Sequence, residues 1–264
     1  MTVTQALAPT HYSFGDNHLA GTRLSLLAET YEPSSFALLS NYAPNQVKLA
    51  VDLGSGLGHT TALLARLNAF ARVVGYERST NHIAKAQASY PNIQFIEQDV
   101  LSLPYAHSNV DLAYSRFLLT HLNAPERALL NFLGLLRPGG RLILEEIAHL
   151  SSPLESVQKY YMLVHELQAH YGQELYIGRR LDGFARRNGM RIVHSHQRSF
   201  PLSAQRMARL HAMNLLTWMN DPYMSQAHPR EEFELLLLAL ESLAECKQAL
   251  APVTCTMAQL VVET

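Results

Sequence analysis

Between residues 47 and 150, short aliphatic runs alternate with longer stretches whose apolar residues recur every three or four positions. That alternation predicts βα units feeding a parallel sheet. The expected strands are VKLAVDL (47–53), ARVVGYE (71–77), IQFIEQD (93–99), VDLAYS (110–115) and RLILEEI (141–147). The intervening helices carry boundary signals. Ser79 precedes TNHIAKAQASY and Pro91 follows it, while Asn123 precedes Pro125 and Glu126 ahead of RALLNFLGLL. RPGG (137–140) stops that helix, since proline cannot continue it and glycine accepts positive φ.

After residue 150 the rhythm changes. A helix is expected from Ser152 and Pro153, another over RRLDGFARRNGM up to Gly189, and a strand over RIVHSHQRSF (191–200). Helical patterns at 203–219 and 229–250 then precede an alternating, β-rich run, TCTMAQLVVET, which reads as a closing strand. The organisation expected is a helical cap over residues 1–45, its two helices meeting at Pro33, followed by one α/β domain over 46–264. Helical insertions at 153–176 and 203–250 are read as a substrate lid or an oligomer contact.

A hydrophobic content of 48% in 264 residues supports one sizeable core with decoration. Twenty-one basic against 22 acidic residues, a net charge of −1, give no field for a polyanion, so a nucleic-acid partner is not expected. The longest aliphatic run, LLLLAL (235–240), falls far short of the ~20 residues that span a bilayer, and MTVTQALAPT lacks a basic-then-apolar leader. No membrane partner and a cytoplasmic location are expected. Cys246 and Cys255 match no zinc spacing and are read as reduced thiols. In HELQAH (165–170) the histidines sit roughly 140° apart around a helix, unlike a zinc-protease pair. No metal is expected.

The candidate chemistry starts at VDLGSGLGHT (51–60), a glycine turn from first strand to first helix, where backbone N–H groups and a helix N-terminus can approach a ligand. Two cofactor classes use such a turn. The dinucleotide fingerprint wants a small residue where His59 stands, and Gly58 comes one place early. Asp52, directly before the turn, suits a cationic ligand better than a pyrophosphate. Glu77 ends the second strand about 20 residues on, where a carboxylate accepts both hydroxyls of a ribose. Asp99 follows at the end of the third strand, placed for an adenine amino group beside Val100. Together with Ser115 they should converge at the carboxyl edge of the sheet.

The ordered series VDLGSGLG, YERS, EQDVLSLP, DLAYSRFLLTHL and LLRPGGRLILEE resembles the class I S-adenosylmethionine-dependent methyltransferases, most of all the small-molecule enzymes of quinone and natural-product pathways. The resemblance implies a Rossmann-like seven-stranded sheet with helices on both faces and an antiparallel last strand. It implies S-adenosyl-L-methionine as cofactor. Asp52, Gly54, Ser55 and Gly56 would face its methionine part, Glu77 and Arg78 the ribose, Asp99 and Val100 the adenine, and Ser115 and Arg116 the sulfonium side. YSFGDNHLAGTRL (12–24) resembles the cap of the natural-product members, implying Tyr12 and Arg23 at the cofactor, with Arg23 reaching its carboxylate. The metal-dependent catechol enzymes carry an Asp-Asn pair after the fifth strand, where this chain has Glu-Glu-Ile.

Methyl transfer from a sulfonium is an in-line displacement, so the protein mainly aligns and desolvates. A general base serves an acidic acceptor: His121 after the fourth strand and Glu146 at the end of the fifth are the candidates. The expected function is methylation of O, N or C of a small molecule. The alternative is a cyclisation or rearrangement that uses the same cofactor without methyl transfer.

Overall fold

The computed structural model describes residues 18–69 and 71–264. In chain order these form α1 (His18–Tyr42), β1 (Leu49–Leu53), α2 (His59–Leu67), β2 (Arg72–Glu77), α3 (Thr80–Ser89), β3 (Gln94–Glu97), β4 (Val110–Arg116), a 3₁₀ turn (Leu119–His121), α4 (Pro125–Leu135) and β5 (Leu136–Ser151). There follow α5 (Glu155–His170), a 3₁₀ turn (Ile177–Arg180), α6 (Leu181–Arg187), β6 (Arg191–Leu202), α7 (Ala204–Trp218), α8 (Pro222–Ala227), α9 (Arg230–Glu245) and β7 (Val253–Glu263). One seven-stranded sheet runs in the order β3-β2-β1-β4-β5-β7-β6, with β7 antiparallel to both neighbours. The α/β sheet and its antiparallel last strand are those expected.

Alternation along each strand divides the core between the two faces. Val51, Leu53, Ala113, Leu142 and Leu144 pack on one side against Phe132 and Leu135 of α4 and Phe184 of α6. Ala50, Leu112, Tyr114 and Ile143 pack on the other against Leu38 and Leu39 of α1 and Leu63 and Leu64 of α2. A further core joins α5, α7 and α9 through Tyr160, Val164, Leu215, Trp218 and Phe233, and includes Tyr31 of α1.

Three elements differ from the sequence reading. First, α1 is one helix running through Pro33 rather than two meeting there. Tyr31 is buried in the core of α5, α7 and α9, and Leu38 and Leu39 against the sheet, so packing on both sides of the proline outweighs its lost N–H. Second, β5 continues to Ser151, which leaves Glu145 and Glu146 in mid-strand; β7 pairs along it as far as Ser151 with Thr254. Third, β3 ends at Glu97, so Asp99 lies in the turn beyond it.

The misplaced third glycine has a packing role. Gly58 precedes α2 at φ 83°, and a Cβ there would lie 2.6 Å from the Phe95 ring. It brings helix and strand together one position earlier than the dinucleotide pattern does, which frees position 59 for a histidine. That histidine contacts Ser25 of α1 (3.2 Å) and Tyr90 (3.0 Å).

Candidate active site

Parallel β1 and β4 lie side by side with helices leaving to opposite faces, which opens a crevice at their carboxyl ends. A cavity of about 430 Å³ occupies it. Gly54, Ser55, Gly56, Glu77, Arg78, Asp99, Val100, Arg116, His121 and, from α1, Arg23 all line it. The strand order arranges them in a row: Asp99 past β3, Glu77 on β2, the glycine turn after β1, then Arg116 at the end of β4 and His121 after it. Asp99 and Glu77 make one end acidic, and Arg116 lies at the other.

The acidic end is braced by the backbone. Glu77 accepts from the amides of Gly56 (2.9 Å), Arg78 (2.9 Å) and Ser79 (2.8 Å). Burial raises its pKa, but His82 and the amides of Ser79 and Gly56 together outweigh that and hold it below the ordinary value. Asp99 accepts from the Leu101 amide at 2.8 Å. Gly54 sits at φ 72°, and a Cβ there would strike Leu118 at 2.8 Å. The left-handed φ is what favours glycine here, and a side chain would also have to displace Leu118.

Three expected site residues do not line the cavity. Asp52 is 1% exposed and its Oδ2 accepts from the hydroxyls of Thr60 and Thr61, both at 2.7 Å. It ties strand β1 to the start of α2 beneath the glycine turn. Burial lifts its pKa to about 6, opposed by the two threonines. Thr61→Val should therefore cost about 1 kcal/mol, read as a lower urea midpoint at pH 7 with an unchanged m-value. Ser115 is fully buried and donates to Leu53 O at 3.2 Å, fastening β4 to β1. Glu146 is fully buried, and its Oε1 accepts from the amides of Leu118 (2.9 Å) and Leu119 (2.7 Å), so it holds the turn that carries the wall residues rather than facing the cavity itself. Tyr12 lies outside the described residues.

Other lining residues went unsignalled in the sequence. Leu24, Leu27 and Ala28 of α1 are spaced as one helix face and cover the glycine turn, while Phe117 and Leu118 form the β4 wall. Phe117 adopts φ 57°, and its amide donates to Glu145 O at 3.0 Å. His121 faces the same space with its pKa pushed down to about 3 by burial and then by the Arg23 guanidinium. It is a neutral hydrogen-bonding group and a weak base. The two histidines of HELQAH have separate neighbours: His170 stacks on Tyr223, and His165 lies against Tyr176.

Residues 51–144 match the family model described as a methyltransferase domain. That segment of the chain is similar to a methyltransferase domain. A demethylmenaquinone methyltransferase of Renibacterium salmoninarum is 30% identical over 121 residues, which are 46% of this chain and 49% of that protein. A trans-aconitate 2-methyltransferase of Enterobacter sp. is 31% identical over 126 residues, 48% and 49% of the two chains. The chain thus spans about half the length of the curated relatives it matches. A methyltransferase-fold structure from Bacillus halodurans covers 87% of this chain and 98% of its own at a TM-score of 0.59 and 12% identity.

The site suits S-adenosylmethionine on its own geometry. The bare Gly54–Gly56 backbone admits a close ligand, and the Ser55 hydroxyl is buried there with no hydrogen-bond partner. Glu77 presents a largely ionised carboxylate to the cavity, with the acid of Asp99 beyond it.

Proposed function

We propose that the protein is an S-adenosylmethionine-dependent enzyme that transfers a methyl group to O, N or C of a small metabolite. Its acceptor is neither nucleic acid nor membrane, its setting is cytoplasmic secondary metabolism, and the segments 153–176 and 203–250 serve as a substrate lid or an oligomer contact. One observation carries this reading: the acid, glycine turn and β4 wall lie in order along a single crevice at the switch point of the sheet. No helix among the described residues is long and apolar enough to cross a membrane.

When bound, the cofactor supplies an electrophilic methyl on a sulfonium. Glu77 would hold the ribose hydroxyls, and Asp99 with Val100 the adenine. The glycine turn would admit the methionine part, with Arg23 near its carboxylate. Leu24, Leu27, Ala28, Phe117 and Leu118 give the reacting end an apolar lining that excludes water. His121 would orient the acceptor by a hydrogen bond from or to a neutral ring.

Incubation with methyl-labelled cofactor and a metabolite panel tests the proposal. Labelled product with stoichiometric S-adenosylhomocysteine supports it. Product formed without S-adenosylhomocysteine replaces methyl transfer with the cyclisation or rearrangement reading, and absence of cofactor binding by calorimetry removes both. With the acceptor so found, His121→Asn should lower kcat less than about tenfold, below the range of a general base, with no inflection near pH 6.5 in either protein.

A further inference from the structure

The β4 end of the cavity holds a cation that the fold leaves without a carboxylate. Arg116 lines the cavity beside Gly54, since β4 runs parallel to β1 with Tyr114 opposite Asp52. Its Nη1 donates to the Ser35 hydroxyl of α1 at 2.8 Å, and its guanidinium lies 5.6 Å from the centre of the Phe117 ring. Those two contacts aim it without neutralising it. No ion pair joins it to an acid among the described residues, and each acid around it is committed elsewhere. Asp52 takes Thr60 and Thr61, Glu145 takes Tyr114 (2.7 Å) and Gln259 (2.9 Å), and Glu146 takes two backbone amides.

A partly buried guanidinium with open donors is matched by a carboxylate, which its planar fork binds through two parallel hydrogen bonds. This role for Arg116 rests on the proposed function. A bound S-adenosylmethionine adds two positive groups and one carboxylate, so an uncompensated arginine beside it is unfavourable unless a further anion enters the same end. Arg23, on the α1 side and bonded to Asn214 at 3.3 Å, is already placed as the candidate for the cofactor's own carboxylate. Arg116 is left for the other reactant.

We propose that Arg116 is the specificity anchor of the site, binding a carboxylate carried by the methyl acceptor. The class of acceptor is thereby a small organic acid with an apolar body that fits between Leu24, Leu27 and Phe117. The carboxylate serves as the handle, and the atom that receives the methyl is set by where the rest of the molecule then lies.

The test uses the full chain loaded with S-adenosylhomocysteine and a calorimetric panel of small carboxylic acids, each paired with its neutral primary amide. In the wild type at least one acid should bind tenfold or more tightly than its amide. Arg116→Gln should shrink that preference to under about threefold, and Arg116→Lys should keep part of it. The proposal is overturned if no acid outbinds its amide, or if the preference survives in Arg116→Gln. It is overturned too if Arg116→Gln loses tenfold in affinity for S-adenosylhomocysteine but not for 5′-methylthioadenosine, which assigns the arginine to the cofactor's carboxylate. Failure of the wild type to bind S-adenosylhomocysteine at all would sink the underlying functional reading, and is seen before any acid is added.

Discussion

Glu77→Ala is expected to raise the dissociation constant for S-adenosylhomocysteine about 100-fold or more. Two charge-assisted hydrogen bonds from ribose hydroxyls are worth at least about 3 kcal/mol together, and each 1.4 kcal/mol is tenfold. The carboxylate is ready for them, because three backbone amides and His82 hold it largely ionised and in place before any ligand arrives. Removing it also uncouples Gly56 from β2, so part of the loss is preorganisation of the glycine turn. Glu77→Gln separates the two. Its amide oxygen can still accept from Gly56 while the charge is gone, so it should fall between wild type and alanine. Calorimetry at pH 7 checks the series, with a thermal melt of each variant to show that it is folded. A dissociation constant for Glu77→Ala within threefold of wild type would remove the ribose assignment.

Glu77 and the glycine turn were legible in the chain because their roles follow from local rules. A glycine run after a short hydrophobic strand dictates a bare turn, and a strand-end acid about 20 residues on falls beside it whenever the next unit is βα. Asp52 and Glu146 were not legible in the same way. Alternation says that Glu145 and Glu146 face opposite sides of the sheet, but only the assembled neighbours decide which side holds the cavity and which holds a turn's amides. Both turned out to be buried. The length of β5 depends on pairing with a strand more than a hundred positions away, which no local window contains. The passage of α1 through Pro33 is a tertiary override of the same kind, since the local penalty is offset by cores that lie elsewhere in the chain. Arg116 stood in plain sight. What the chain could not show was that every nearby acid would be spoken for.

Glu146 gives the protein a pH dependence that a carboxylate does not ordinarily give. Burial lifts its pKa from 4.5 to about 8, against the opposing pull of the amides of Leu119, Leu118 and Thr120. The folded protein therefore keeps this proton up to about pH 8, while the unfolded chain releases it near 4.5. Between those values unfolding sheds a proton, so stability falls as pH rises, by about 1.4 kcal/mol per unit. Below pH 6.5 other groups intervene. His121 and His211, both lowered to about 3 by burial, stay neutral in the fold and take up protons on unfolding, which favours the fold as pH rises through that range. Asp52, raised to about 6, adds to the effect of Glu146 there. From pH 6.5 to 8 the histidines of the unfolded chain, whose counterparts His59, His107, His121, His194 and His211 are lowered in the fold, give up the rest of their protons and oppose Glu146. Any Glu146 variant shares that contribution, and the raised tyrosines and Cys255 stay protonated. Urea unfolding should thus show the stability of the wild type relative to Glu146→Gln falling by about 1.5 kcal/mol between pH 6.5 and 8. Glu146→Gln keeps an oxygen for the amides of Leu118 and Leu119 and has no proton to lose, so only the small rise from the histidines should remain in it across that interval. Equal pH slopes in the two proteins would show that Glu146 is ionised in the fold and that its second oxygen, buried without a hydrogen-bond partner, is satisfied in some other way.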